Sequence, residues 1–166
     1  MDRLMGSYRG SSRMSYEDKI REQAGPYLLD GERVLAAFIA RPRGATTASA
    51  GGLAAGLAGG RKIGQQNHAA REAGLKLANP MALALTSRRL LVLQVSPPIA
   101  LGKGGDVKDL VSQAPLTDVD SIEVKRLLVG KVVTVSVRGW QFKVEVGGGG
   151  DASGLANEFA RVKAAV

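Results

Sequence analysis

The sequence predicts a mainly β domain closed by a C-terminal α-helix, arranged as a small antiparallel barrel or sandwich. Three observations carry this. Residues 81–146 hold short apolar or alternating runs separated by turn residues. Two of those runs, KVVTVSV and WQFKVEV, are separated only by Arg138-Gly139, the spacing of a two-residue β-hairpin. After the break at residues 147–150, Leu155, Phe159, Val162 and Val166 fall along one helical stripe. Asp151 or Ser153 can cap that helix, whose stripe is expected to cover one open end of the strands.

Taken in order, residues 1–14 are Ser, Gly and Arg with little to bury, and read as a disordered arm. Ser15 followed by Asp18 resembles a capping box, so a short helix is expected within residues 15–27, ending at Gly25-Pro26. The domain proper is expected over 28–166, starting with an Asp30-Gly31 turn and a strand over 33–41. Strands are then expected over 81–86 and 89–95, over 111–116 and 119–125, and in the two runs of the hairpin. Trp140 and Phe142 are expected to face inward, with Phe159 sealing the core from the helix. Arg88 and Arg89, at a turn, are expected in solvent; Asp118 and Asp120 are expected to shape a turn.

Residues 44–79 interrupt the strands. The first 17 of them carry no charge, and Gly52, Gly56, Gly60 and Gly64 recur every four residues. On a helix that spacing makes a small-residue groove another helix can approach. Yet seven glycines between Gly44 and Gly64 cost an isolated helix roughly 7 kcal/mol against alanine. A flexible Gly/Ala linker is therefore preferred to a packed or self-associating helix, and membrane contact comes third. Further on, Ile63, Ala70, Ala73 and Leu77 share a helical face up to Asn79-Pro80. The strands flanking the insertion should pair without it, so the rest is expected to fold when residues 44–79 are replaced by a short turn.

A chain of 166 residues fits one domain, or one domain plus an arm, with core enough to stand without staples. It has no cysteine, which excludes disulfides and thiolate metal sites and fits a reducing compartment. Without an apolar secretory h-region or an 18-residue apolar window, the expected location is cytoplasmic, or peripheral to a membrane. The net charge of +8 is uneven: zero over residues 1–30, +5 over 31–80, +2 over 81–110 and +1 over 111–166. That is a local basic patch rather than a uniformly basic nucleic-acid domain. His68 is the single histidine, so with no cysteine an ordinary transition-metal site cannot be assembled, and because it lies in the insertion rather than beside a strand-end serine no Ser-His-acid triad can be argued. The glycine run around Lys103 lacks the spacing and hydroxyl of a phosphate loop. No catalysis and no cofactor are expected.

The phrases LLDGERVL, ALALTSRRLLVL and APLTDVDSIEV, in that order and with seven strands and a C-terminal helix, resemble the pleckstrin-homology-like superfamily. The nearest likeness is to bacterial PH-like and GRAM-like domains. Residues 86–90 match a T-x-x-R-L hairpin and residues 115–119 a P-L-x-D-I-like step; the resemblance covers about residues 28–165. The departure is the insertion 44–79, where the family has a short loop. The resemblance implies a non-catalytic binding or scaffold module whose loops after strands one, three and six gather at one open end. Those loops carry Arg41, Arg43, Lys103, Lys108 and Arg138, and Arg61 and Lys62 of the insertion can join them. Together they are the candidate site for an anionic membrane surface. A protein partner is the alternative ligand. The competing function is a homo-oligomer assembled through Gly52, Gly56, Gly60 and Gly64. Nucleic-acid binding is not expected: there are seven aromatics, and the three tyrosines precede the strands.

Overall fold

The structure is a computed structural model, which describes residues 14–50, 52–99, 103–146 and 150–165. All but Met14 of the expected N-terminal arm lies outside these residues, as do Gly102, residues 147–149 and Val166. Seven antiparallel strands form one sheet: β1 (Val34–Pro42), β2 (Met81–Thr86), β3 (Arg89–Val95), β4 (Val107–Pro115), β5 (Val119–Arg126), β6 (Lys131–Val137) and β7 (Trp140–Val146). Helix α1 (Tyr16–Gln23) precedes β1, α2 (Ala45–Ala50) and α3 (Leu53–Glu72) fill the insertion, and α4 (Ala152–Ala164) ends the chain. This is the plan of seven strands and a C-terminal helix that the sequence predicts.

The strand order is β4-β3-β2-β1-β7-β6-β5. Strand β1 belongs to both halves: Val34 to Ala40 pair with β2, and Ala40 to Pro42 pair with β7. Among the described residues β4 and β5 are unpaired edges, so the sheet is sandwich-like rather than a closed barrel. Its inner faces bury Phe38, Met81, Leu83, Leu85, Val135 and Phe142, with Leu155 and Phe159 of α4 packed on them. A second cluster on the outer face of the first half buries Ala82, Ala84, Leu91 and Leu93 under Ile20 and Ala24 from α1 and the residue after it. Strand β2 is thus buried on both faces, which is why MALALT is an unbroken apolar run.

Several local expectations hold. Ser15 caps α1, its hydroxyl accepting from the Asp18 N–H. Asp151 caps α4 by accepting from the Gly154 N–H. The β6–β7 turn has positive φ at both Arg138 and Gly139, the backbone of a tight hairpin turn. Asp118 and Asp120 brace that turn, through an ion pair to Arg138 at 2.6 Å and an acceptor for the Gly139 N–H at 2.8 Å.

Others are corrected. The insertion is helical, not a linker. A Cβ on Gly59 would stand 2.5 Å from the Ala48 nitrogen and 2.7 Å from the Gly44 carbonyl, so glycine there lets α2 lie directly on α3. The Gly52, Gly56, Gly60 and Gly64 stripe does not make this contact. A Cβ at Gly56 would meet only the Ala48 carbonyl, at 3.9 Å, and the other three face open space. Helix α3 also ends before Asn79-Pro80: the Leu75 N–H returns to the Ala70 carbonyl and the Gly74 N–H to the Arg71 carbonyl. Ala70, Ala73 and Leu75 then enter the main core, so the sheet is not independent of the insertion. Strand β4 starts at Val107 rather than residue 111. Trp140 is 45% exposed, because it opens β7 at the hairpin tip, beyond the cover that buries Phe142.

Arg89 is not a solvated turn residue either. Its guanidinium donates to both carboxylate oxygens of Glu32 and to the Tyr27 carbonyl. The Thr86 hydroxyl and the Leu29 N–H donate to the same carboxylate. The T-x-x-R pattern and the Glu of LLDGERVL therefore form one buried polar knot, joining the β2–β3 turn to the approach to β1.

Candidate functional site

A concavity of about 720 Å³ lies along the outer face of β1 beside the start of α1. Ala37, Ile39 and Arg41 alternate onto its floor; Tyr16 forms one wall; Leu127 and Val129, from the loop between β5 and β6, form the other. Pro98, from the loop between β3 and β4, closes one side, and Asp151 at the α4 N-terminus lines it as well. Local chemistry fixes these walls. The Tyr16 hydroxyl donates to the Ile99 and Lys103 carbonyls, at 3.1 and 3.2 Å, and Lys19 pairs with Asp106 at 2.7 Å. Both tie α1 to the β3–β4 loop. Glu145 accepts from the Gly44 N–H at 2.9 Å and the Thr46 N–H at 3.3 Å, anchoring the chain where it leaves β1. The Gln66 side-chain Oε1 accepts from the Lys143 N–H at 2.6 Å, satisfying the edge of β7 that β1 abandons.

The floor and tip are apolar, but the rim is charged. Glu17 has its carboxyl pushed up, mainly by burial and further by Asp151 and Asp18, against the lowering effect of Arg21. Asp106 is held below its usual range by its hydrogen bonds to Lys19 and Gln23. Arg41, which faces Glu145 across the strands, and Lys131 line the groove. Neither makes an ion pair among the described residues, and nor does Lys103 on the loop that carries Pro98.

The candidate cations are not gathered into one ring. Arg43 follows β1, its N–H donating to the Lys143 carbonyl, and Gly44 beside it lies against Lys62 of α3. Arg61 is exposed on the same helix. Lys108 is exposed on edge strand β4, its carbonyl taken by the Tyr27 hydroxyl. Arg138 is committed to Asp118 at the β6–β7 turn. Of the set only Arg41 lines the groove, with Lys103 beside it on the loop that carries Pro98. What sequence reasoning missed is the segment between β5 and β6. Its signal is KRLLVGK, an apolar triplet bracketed by cations at a hairpin tip.

Among the described residues no three His, Asp or Glu side chains converge as a metal site. No helix there is long and apolar enough to cross a membrane. His68 is exposed, with its Nδ1 3.9 Å from Glu72 one turn away.

No protein-family model matches the chain, and no curated protein matches it. Among solved structures it is similar to a DUF1696 family protein with a pleckstrin-homology domain from Shewanella loihica PV-4. The two share 14% identity over 87% of this chain and 91% of that one, with a TM-score of 0.46.

Proposed function

We propose that this chain is a non-catalytic binding module that docks on an anionic membrane surface through the groove end of the molecule. The observation that carries the reading is the set of cations there that make no ion pair among the described residues: Arg41 and Lys131 on the groove and Lys103 beside it. A chain of net charge +8 supplies the long-range attraction. Each cation near an anionic surface contributes about 1 kcal/mol. Vesicle co-sedimentation at increasing salt tests this, since exposed charge is screened beyond about 10 Å at 0.1 M. Binding to acidic vesicles should fall steeply with salt. Replacing Arg41, Lys103 and Lys131 by Ala should lower it by about two orders of magnitude, three such terms at 1.4 kcal/mol per decade. Salt-insensitive binding, or none, refutes the reading and leaves a protein partner for the groove.

A second reading, self-association through α3, is favoured by Leu53 and Leu57, 85% and 61% exposed beside the open Gly56, Gly60 and Gly64. Light scattering tests it. An oligomer that Gly56→Leu converts to monomer supports it, and a monomeric wild type refutes it.

A further inference from the structure

We propose that the tip of the β5–β6 hairpin, residues 127–130, inserts into the interfacial layer of an anionic bilayer while Lys125, Arg126 and Lys131 grip phosphate at its base. This rests on the membrane reading above and names the segment that makes the contact. Leu128 and Val129 are 107% and 90% exposed, and Leu127 is 41% exposed. They are not a frayed loop: the Leu127 N–H donates to the Gly130 carbonyl at 3.1 Å, closing the turn. Gly130 sits at φ +77°, where a Cβ would come within 3.0 Å of the Val146 carbonyl. The backbone thus fixes two apolar side chains outward on a convex tip, a shape that suits penetration of a soft layer better than a fit against a rigid partner.

The base of the tip carries the second observation. Arg126 and Lys131 are directly opposite in the β5–β6 register, and Lys125 is the next residue back. Like charges directly opposite on paired strands repel, and none of the three has an acidic partner among the described residues. A water-exposed Leu-Val pair and a cation facing a cation adjoin on one hairpin. Anionic lipid relieves both, since headgroup phosphate lies between the cations and the acyl layer takes the apolar pair. On the far side of the groove, Ile99 is also exposed, on the loop that carries Lys103.

The chain has no cysteine, so Leu128→Cys gives a single site for an environment-sensitive fluorophore, and Thr117→Cys gives a control at the other end of β5. Each labelled protein is mixed with phosphatidylcholine vesicles, with or without phosphatidylserine, and read by co-sedimentation and by emission with lipid-borne quenchers. The expected result is a blue shift and quenching at 128 but not at 117, on acidic vesicles only. In unlabelled protein, Leu128→Glu with Val129→Glu should weaken vesicle binding at least tenfold while leaving the thermal midpoint unchanged. Co-sedimentation without a change at 128 overturns the insertion and leaves the membrane reading standing. Equal insertion into neutral vesicles overturns the role given to the cations. Absence of co-sedimentation overturns both readings.

Discussion

Acidification should unlock the Glu32–Arg89–Thr86 knot, and the structure sets the size of the effect. The Glu32 side chain is fully buried, and burial alone would raise its pKa; this is the largest single influence on it. Hydrogen bonds from Arg89, the Leu29 N–H and Thr86, with the charge of Arg89, together outweigh it and bring the value from 4.5 down to about 2. At 1.36 kcal/mol per unit, the ionised form contributes about 3 kcal/mol to folding, a large share of the ~5–15 kcal/mol typical of a domain. Because the folded value lies below the unfolded one, this contribution is complete above pH 4.5 and drains away as pH falls towards 2. Denaturant unfolding of wild type and Glu32→Gln from pH 7 to pH 2 measures it. At pH 7 the variant should be less stable by about 3–5 kcal/mol, because Arg89 is left buried without its partner, and the two curves should converge in acid. Other carboxylates, such as Asp106, titrate in both proteins and cancel in the difference. Parallel curves, or a variant within about 0.5 kcal/mol of wild type at pH 7, would refute the reasoning.

Phe159→Ala should cost on the order of 3–5 kcal/mol, since its ring is buried in the main core. A loss below about 1 kcal/mol, read from denaturant midpoints, would detach α4 from that core. Gly59→Val should separate α2 from α3 and lower the thermal midpoint, while Gly56→Leu in the monomer should leave it nearly unchanged, because a Cβ at Gly59 would stand 2.5 Å from backbone and one at Gly56 3.9 Å, an ordinary contact. Replacing residues 44–79 by a short Gly/Ser turn should abolish cooperative unfolding, because Ala70, Ala73 and Leu75 leave with the insertion. Retention of a sharp transition would show that the remaining strands close over the gap.

What was legible in the sequence was local. The β2 and β3 runs, the Arg138-Gly139 turn and the α4 stripe each declare themselves within a dozen residues, and each is where the pattern places it. The misreadings share a cause, a partner distant in sequence. Glycine count argued against α3 because the cost was reckoned for an isolated helix. Packing on β7, the Gln66–Lys143 bond and burial of Ala70 supply what propensity lacks. Arg89 looked solvated because its acid lies 57 positions away, and Arg138 looked free because Asp118 lies 20 positions before it. The 127–130 segment carries no residue of recognisable chemistry, only three apolar side chains and a glycine between two expected strands. The register, which puts Arg126 opposite Lys131, makes that segment the tip of a hairpin with cations facing each other at its base.

The residues that made the family likeness readable are thus poor reporters of a ligand. Thr86, Arg89 and Glu32 spend their polar atoms on one another, and both oxygens of Glu32 are taken. The motif specifies how the β2–β3 turn meets the start of β1. The proposed membrane contact lies outside the knot, on the β3–β4 loop and the β5–β6 tip. Here those segments are not independent of the core. Ile39 packs with the cluster beneath α1 and also floors the groove, and Tyr16 of α1 walls that groove while holding the β3–β4 loop. A ligand pressing into the groove therefore pushes on the contact between α1 and β1. Binding there should stabilise α1 as well as occupy a surface, and amide exchange along Tyr16–Gln23 would record it.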